Sequence, residues 1–214
     1  MTEKELSAKA SQSLETKSRI LKAALKLFNE SGSDAVTTHD IAEQAQLSPG
    51  NLYYHFKNKN AIIRALFYEI EIFSVMKWRE KSPAHREVRF ADFMSFYFGG
   101  LAKHKFFFRE LASILKNDPI LAREWRGVYE RLFSVMKESL QGWVKQGLIK
   151  PFRQPEEEDI FIETIWILAG FSQVHHEARH GFKKNVSEES QRLLARFLYP
   201  YHTEKGQRAI ELYL

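Results

Sequence analysis

The stretch TTHDIAEQAQLSPGNLYYHFKNKNAIIRAL, residues 37–66, contains two helix starts close together, and their spacing decides the fold. Thr37-Thr38-His39-Asp40 matches a capping box, in which the Thr37 hydroxyl takes the Asp40 amide while the Asp40 carboxylate reaches back and favours the positive end of the helix. A short helix through Ala45 follows. After Gln46-Leu47, Ser48 supplies a second cap with Pro49 at the first helical position, where a missing amide costs nothing and a fixed φ helps. The helix it starts, GNLYYHF, is brief. Leu52 and Phe56 lie one turn apart and can anchor inward against Ile41 and Leu47. That leaves Pro49, Gly50, Asn51, Tyr53, Tyr54 and His55 outside or at the edges.

Upstream, TKSRILKAALKLFNESG from Thr16 sets Ile20, Ala24, Leu27 and Phe28 on one stripe, with Lys17, Lys22 and Lys26 outside and Gly32 as a stop. A longer helix followed by two short ones joined by a tight turn is the three-helix unit of a helix-turn-helix, whose second short helix reads DNA. Gly50 lets the chain approach base edges, Asn51 can pair with bases or phosphate, and Tyr53, Tyr54 and His55 offer donors at phosphate height. Lys59 can add one charge contact. The bland alternative is a helical hairpin with ordinary surface aromatics, against which two outward tyrosines beside a histidine weigh.

The quoted stretch, together with LFNESG before it, closely resembles the N-terminal signature of the TetR/AcrR family of bacterial transcriptional regulators, from about Ile20 to Leu66. The resemblance implies roles by position: Thr38 at phosphate, His39 at a base or phosphate, Gly50, Asn51 and Tyr53 at bases or backbone, and Tyr54, His55 and Lys59 on phosphates. His39 departs from the pattern, because relatives commonly carry Arg or Lys there. A neutral imidazole gives up both a permanent charge and bidentate guanine recognition.

Composition agrees without deciding. The chain has 214 residues, 44% of them hydrophobic, enough for a real core, and no cysteine, which excludes disulfides and thiolate metal sites. Net charge is +5, yet residues 1–60 are nearly balanced, so bulk charge is weak support for a nucleic-acid partner. The polar, mixed-charge start MTEKELSAKASQS looks like neither a secretory signal nor a transit peptide. No run approaches a membrane span, since FADFMSFYFGGLAKHKFFF is broken by Asp92, Lys103 and Lys105. A cytoplasmic protein without membrane partners or cofactors is expected.

The apolar spacing is helical throughout, and the expected class is all-α. A flexible tail at 1–13 precedes a helix-turn-helix domain at 14–60 and a larger helical domain at 61–214, which the resemblance implies is for ligand binding and dimerisation. Further helices are expected from Ala61 toward Pro83 and at about 87–102, 104–116, 119–146, 156–180 and 187–199. Phe90, Phe93, Phe96, Tyr97, Phe98, Phe106, Phe107 and Phe108 crowd one region. They suggest either plain core or an apolar pocket for a hydrophobic or aromatic effector. Phe93, Tyr97, His104, Arg109, Tyr129, Trp166 and His175 are its candidate lining, and a buried Arg109 would favour a carboxylate or phosphate on the ligand. Ile162, Ile165, Ala169, Gly170, Leu194 and Leu198 are the candidate interface of a homodimer.

The string HEARH at 176–180 spells a zinc-hydrolase signature, with His176 and His180 on one helical face and Glu177 as base. It lacks an evident third ligand, and no metal or catalytic residue is expected. The leading expectation is a dimeric repressor that binds a pseudo-palindromic double-stranded operator and is released by a small effector. The zinc-dependent hydrolase is its rival.

Overall fold

The computed structural model describes residues 3–71, 98–181 and 187–211. Over these residues the chain forms α1 (Glu3–Ser31), α2 (Thr38–Gln44), α3 (Pro49–His55), α4 (Lys59–Glu71), α5 (Lys105–Arg109), α6 (Leu111–Asn117), α7 (Pro119–Lys145), α8 (Pro155–His180), α9 (Ser187–Leu198) and α10 (Glu204–Ile210). Residues 98–103 are also helical. The expected residues Phe90, Phe93, Phe96 and Tyr97, and most of the helix placed at 87–102, lie outside the described residues.

Local signals act as the sequence suggests. Thr37 and Asp40 form the reciprocal capping box, and Ser48 caps α3 with Pro49 at its start. Asp118 caps α7, its Oδ1 accepting the Ile120 and Leu121 amides at 3.2 and 3.1 Å. α1 differs, being helical from Glu3, so the expected tail at 1–13 is largely helix. Residues 3–15 contain neither Gly nor Pro, and nothing stops the helix propagating backward. The helix expected at 104–116 breaks at Glu110, where φ −110° and ψ 10° separate α5 from α6.

Two apolar clusters organise the molecule. The first joins Ile20, Ala24 and Phe28 of α1 to Ile41, Leu52 and Phe56, then to Ile62, Leu66 and Phe67 of α4, and on to Phe106, Phe107, Ile114, Leu121 and Val128. It runs without interruption across the division expected at 60/61. The second gathers Phe98, Leu140, Trp143, Ile149, Phe161, Ile162, Ile165, Leu194 and Leu198 between α7, α8 and α9. Arg64 pairs with Asp118 at 2.5 Å, and the Tyr68 hydroxyl donates to Glu124 at 2.7 Å, fastening α4 to the start of α7.

Helix α10 was not anticipated from sequence. The Thr203 hydroxyl donates to the Gly147 carbonyl at 2.6 Å, and the Thr203 amide donates to Leu148 O at 3.1 Å. Gly206 lies so close to the turn after α7 that a Cβ there would strike the Leu148 carbonyl and come within 2.8 Å of the His202 ring. Gly206→Ala is therefore expected to destabilise the protein by about 3 kcal/mol, the upper range of overpacking costs. Thermal melting would show it as a fall of about 6–12 °C for a chain of this size. A melt within 2 °C of wild type would mean that α10 shifts away without cost.

Candidate nucleic-acid interface

α2 and α3 meet at the angle their caps and turn impose, and Arg19 of α1 closes the turn by donating to the Ala45 carbonyl at 2.6 Å. Gln46 adopts φ 55° there, a left-handed backbone that an L residue rarely takes. Leu52 is fully buried and Phe56 nearly so, as the inward anchors. On the opposite side Pro49, Gly50, Asn51, Tyr53 and Tyr54 are exposed, together with His39 of α2. Tyr54 is 78% exposed and Tyr53 51%.

These side chains are arranged as well as exposed. The Thr38 and Tyr53 hydroxyls hydrogen-bond at 2.9 Å, linking the start of α2 to the outer face of α3. Tyr54 and His55 make an edge contact with ring centroids 5.1 Å apart. Burial pushes the His55 pKa below its ordinary value, and the Lys17 charge adds to this. Lys17 is therefore close enough for its charge to be felt at His55, the last residue of α3, a cation that sequence spacing had left simply on the outside of α1. The Thr37 amide and then its hydroxyl hold the Asp40 carboxyl below the usual range. A Cβ at Gly50 would meet nothing within 4 Å, so the protein's own packing does not require glycine there.

Lys59 is corrected. Its ammonium donates to the carbonyls of Ser33 at 2.5 Å and Val36 at 3.0 Å, and lies 3.5 Å from Asp34 O. With its donors turned onto the α1–α2 loop, it shapes that loop instead of reaching for a phosphate.

The candidate effector lining divides. Phe67, Phe107, Phe108, Trp125 and Trp166 form a continuous ring cluster, and Tyr129 meets Trp166 edge-on with centroids 5.2 Å apart. His104 is 2% exposed, and among the described residues its Nε2 has no hydrogen-bond partner, the Glu69 carboxylate standing 4.0 Å away. Arg109 is corrected: Glu177 already takes its guanidinium in a two-pronged pair at 2.6 Å for each bond, so the carboxylate it was expected to seek belongs to the protein. His175 is exposed and lines no interior wall.

The same pair occupies Glu177 and removes the base of the hydrolase reading. His176 and His180 stack at 6.2 Å in nearly parallel planes, and among the described residues no three His, Asp or Glu side chains are placed to hold a metal.

The interface residues are corrected as well. Ile162, Ile165, Ala169, Leu194 and Leu198 are each at most 7% exposed within a single protomer, so they belong to its own core. Gly170 is buried too, with nothing among the described residues within 4 Å of a Cβ position. The apolar side chains α8 leaves outside are Ile160, Ile167 and Phe171.

A reading face on two short helices, carried by a larger all-helical body, defines a helix-turn-helix transcriptional regulator. The profile of the bacterial regulatory proteins of the tetR family matches residues 20–66, and that of a bacterial transcriptional repressor matches residues 68–210. The chain belongs to the TetR family. Among proteins of assigned function it is 33% identical over 79 residues to the HTH-type transcriptional regulator UidR of Escherichia coli strain K12, a match covering 37% of this chain and 39% of that protein. The chain thus matches well under half the length of such relatives. A TetR-family transcriptional regulator from Marinobacter aquaeolei VT8 superposes with a TM-score of 0.81 at 26% identity, covering 92% of this chain and 96% of that one. The complex of SmeT with triclosan has the same fold, with a TM-score of 0.63 at 18% identity over 89% and 93% of the two chains.

Proposed function

We propose that the protein binds a pseudo-palindromic DNA operator as a dimer and represses transcription until a small hydrophobic or aromatic effector releases it. The observation that carries the DNA reading is the outer face of α3, where Tyr53 and Tyr54 are solvent-exposed beside a glycine that internal packing does not require. Thr38, His39, Pro49, Gly50, Asn51, Tyr53, Tyr54 and His55 form the reading surface, with Lys17 supplying a phosphate contact in the place first given to Lys59. Two copies joined through the Ile160, Ile167 and Phe171 face of α8 would present two such surfaces to successive major grooves.

The ring cluster around Trp125, Tyr129 and Trp166 supports an aromatic effector, and the Nε2 of His104, without a hydrogen-bond partner among the described residues, is a polar handle for it. The triclosan complex of SmeT lends this reading support by analogy of fold. Among the described residues no helix is long and apolar enough to cross a membrane, and the proposed site of action is the cytoplasm, with the DNA.

Fluorescence anisotropy with duplexes from the gene's own upstream region tests this. Tyr54→Ala is expected to weaken binding about tenfold or more, from loss of a charge-assisted phosphate contact, while the melting temperature stays unchanged. Lys59→Ala should instead lower the melting temperature, because it strips the α1–α2 loop of its donor. Saturable, salt-sensitive binding that ignores Tyr54→Ala would remove α3 as the reading helix.

A further inference from the structure

The last turn of α1 is gripped from residues 103–110. Asn29 Oδ1 accepts the Phe106 amide at 3.0 Å, and its Nδ2 donates to the Lys103 carbonyl at 2.9 Å. Both Glu110 oxygens accept the Ser33 amide at 3.0 Å, and the Ser33 hydroxyl donates to one of them. Arg109 reaches further. Its Nη1 donates to the Asn29 carbonyl at 3.1 Å, while its Nε and Nη2 donate to Glu177 of α8 at 2.6 Å each. One guanidinium therefore touches both the helix that carries the reading unit and the helix whose outer face is the proposed dimer surface.

The two side chains of the pair are only 16% and 4% exposed, so water competes poorly for either. A planar guanidinium has donors in fixed directions and can hold two partners in a fixed mutual position, which a flexible ammonium cannot. Asn29 sits at the C-terminal end of α1, and Lys17, whose charge is felt at His55 of α3, lies about 18 Å back along the same helix. A tilt of α1 about its last turn is therefore carried to the reading face.

We propose that Arg109 is a positioning residue for DNA recognition: through Asn29 and Glu177 it fixes α1 and α3 relative to α8, and so sets which half-site spacing a dimer accepts. This rests on the dimeric operator reading above. The two ideas separate experimentally, because head placement governs tolerance of spacing, whereas the reading face governs affinity for each half-site.

The full-length protein would first select its binding site from a random-sequence duplex pool, and the selected duplex would then be compared with versions whose half-sites are one base pair closer or farther apart. Wild type should prefer the selected spacing. Arg109→Lys keeps a charge for Glu177 but cannot hold both partners, so the preference is expected to shrink about fivefold or more, with an unchanged circular dichroism spectrum and dimer mass. Glu177→Gln, which keeps an acceptor and removes the charge, should act in the same direction. A wild type that selects no paired half-sites removes the dimeric reading and this inference with it. One that selects them, while both variants keep its spacing preference, overturns the inference alone. Unfolding of both variants would assign the pair to stability and overturn it too.

Discussion

Phe171→Glu is expected to convert the protein to a monomer at micromolar concentration and to weaken operator binding about a hundredfold to ten-thousandfold, the range by which linking two weak sites raises overall affinity. Ile160, Ile167 and Phe171 recur at helical spacing on α8 and are 64%, 53% and 42% exposed, while Phe161, Ile162, Ile165 and Ala169 of the same helix are buried. Three large apolar side chains in a row on the outside of a helix are costly to leave in water. A two-fold axis would bring each stripe against its copy, so a glutamate there meets the partner's glutamate as well as losing the ring. Sedimentation velocity reads the mass, and anisotropy on the selected duplex reads the affinity. A variant that remains a dimer with full affinity would move the proposed interface off α8.

Phe106→Ala should be the most damaging core substitution at the joint between α1 and α5, costing about 3–5 kcal/mol. The ring is fully buried, with its centroid 5.1 Å from that of Phe28 and 6.2 Å from that of Phe107. For a chain of this length each kcal/mol lowers the melting temperature by about 2–4 °C, so a drop of roughly 6–20 °C is expected by calorimetry. Phe106→Leu, which keeps most of the volume, should lose far less. Equal melts for the two variants would show that the joint collapses around the missing ring, and that the packing of α1 against α5 is softer than its geometry suggests.

The two substitutions probe opposite ends of what could be read beforehand. The reading unit was legible almost residue by residue: each cap acts on a partner three positions on, Thr37 on Asp40 and Ser48 on Asn51, and Leu52 and Phe56 turn inward as their spacing requires. Lys59 was misplaced because its partners, Ser33 and Val36, lie 26 and 23 positions away, on a loop whose path no local pattern describes. Arg109 was expected to take a carboxylate or phosphate of a ligand, whereas its partner is the Glu177 carboxylate, 68 positions along the chain. α8 was misjudged for another reason. It carries apolar residues nearly all round, among them Ile160, Ile162, Ile165, Ile167, Ala169 and Phe171, and a helix patterned that way does not declare which side faces its own core.

By itself, then, the sequence determined what short-range geometry controls: helix starts and stops, the tight turn between α2 and α3, and the outward set of side chains on α3. Capping, turn chemistry and helical period act between residues at most a turn or so apart, and the chain order contains those distances. Only the tertiary structure decided that Ile162, Ile165 and Leu194 belong inside one protomer, that Lys59 serves a loop, that α10 closes on the turn after α7, and that Arg109 joins α1 to α8. Each of these depends on which distant surfaces come together to bury apolar area and satisfy buried charge, a choice made by the whole packed chain and by no segment of it.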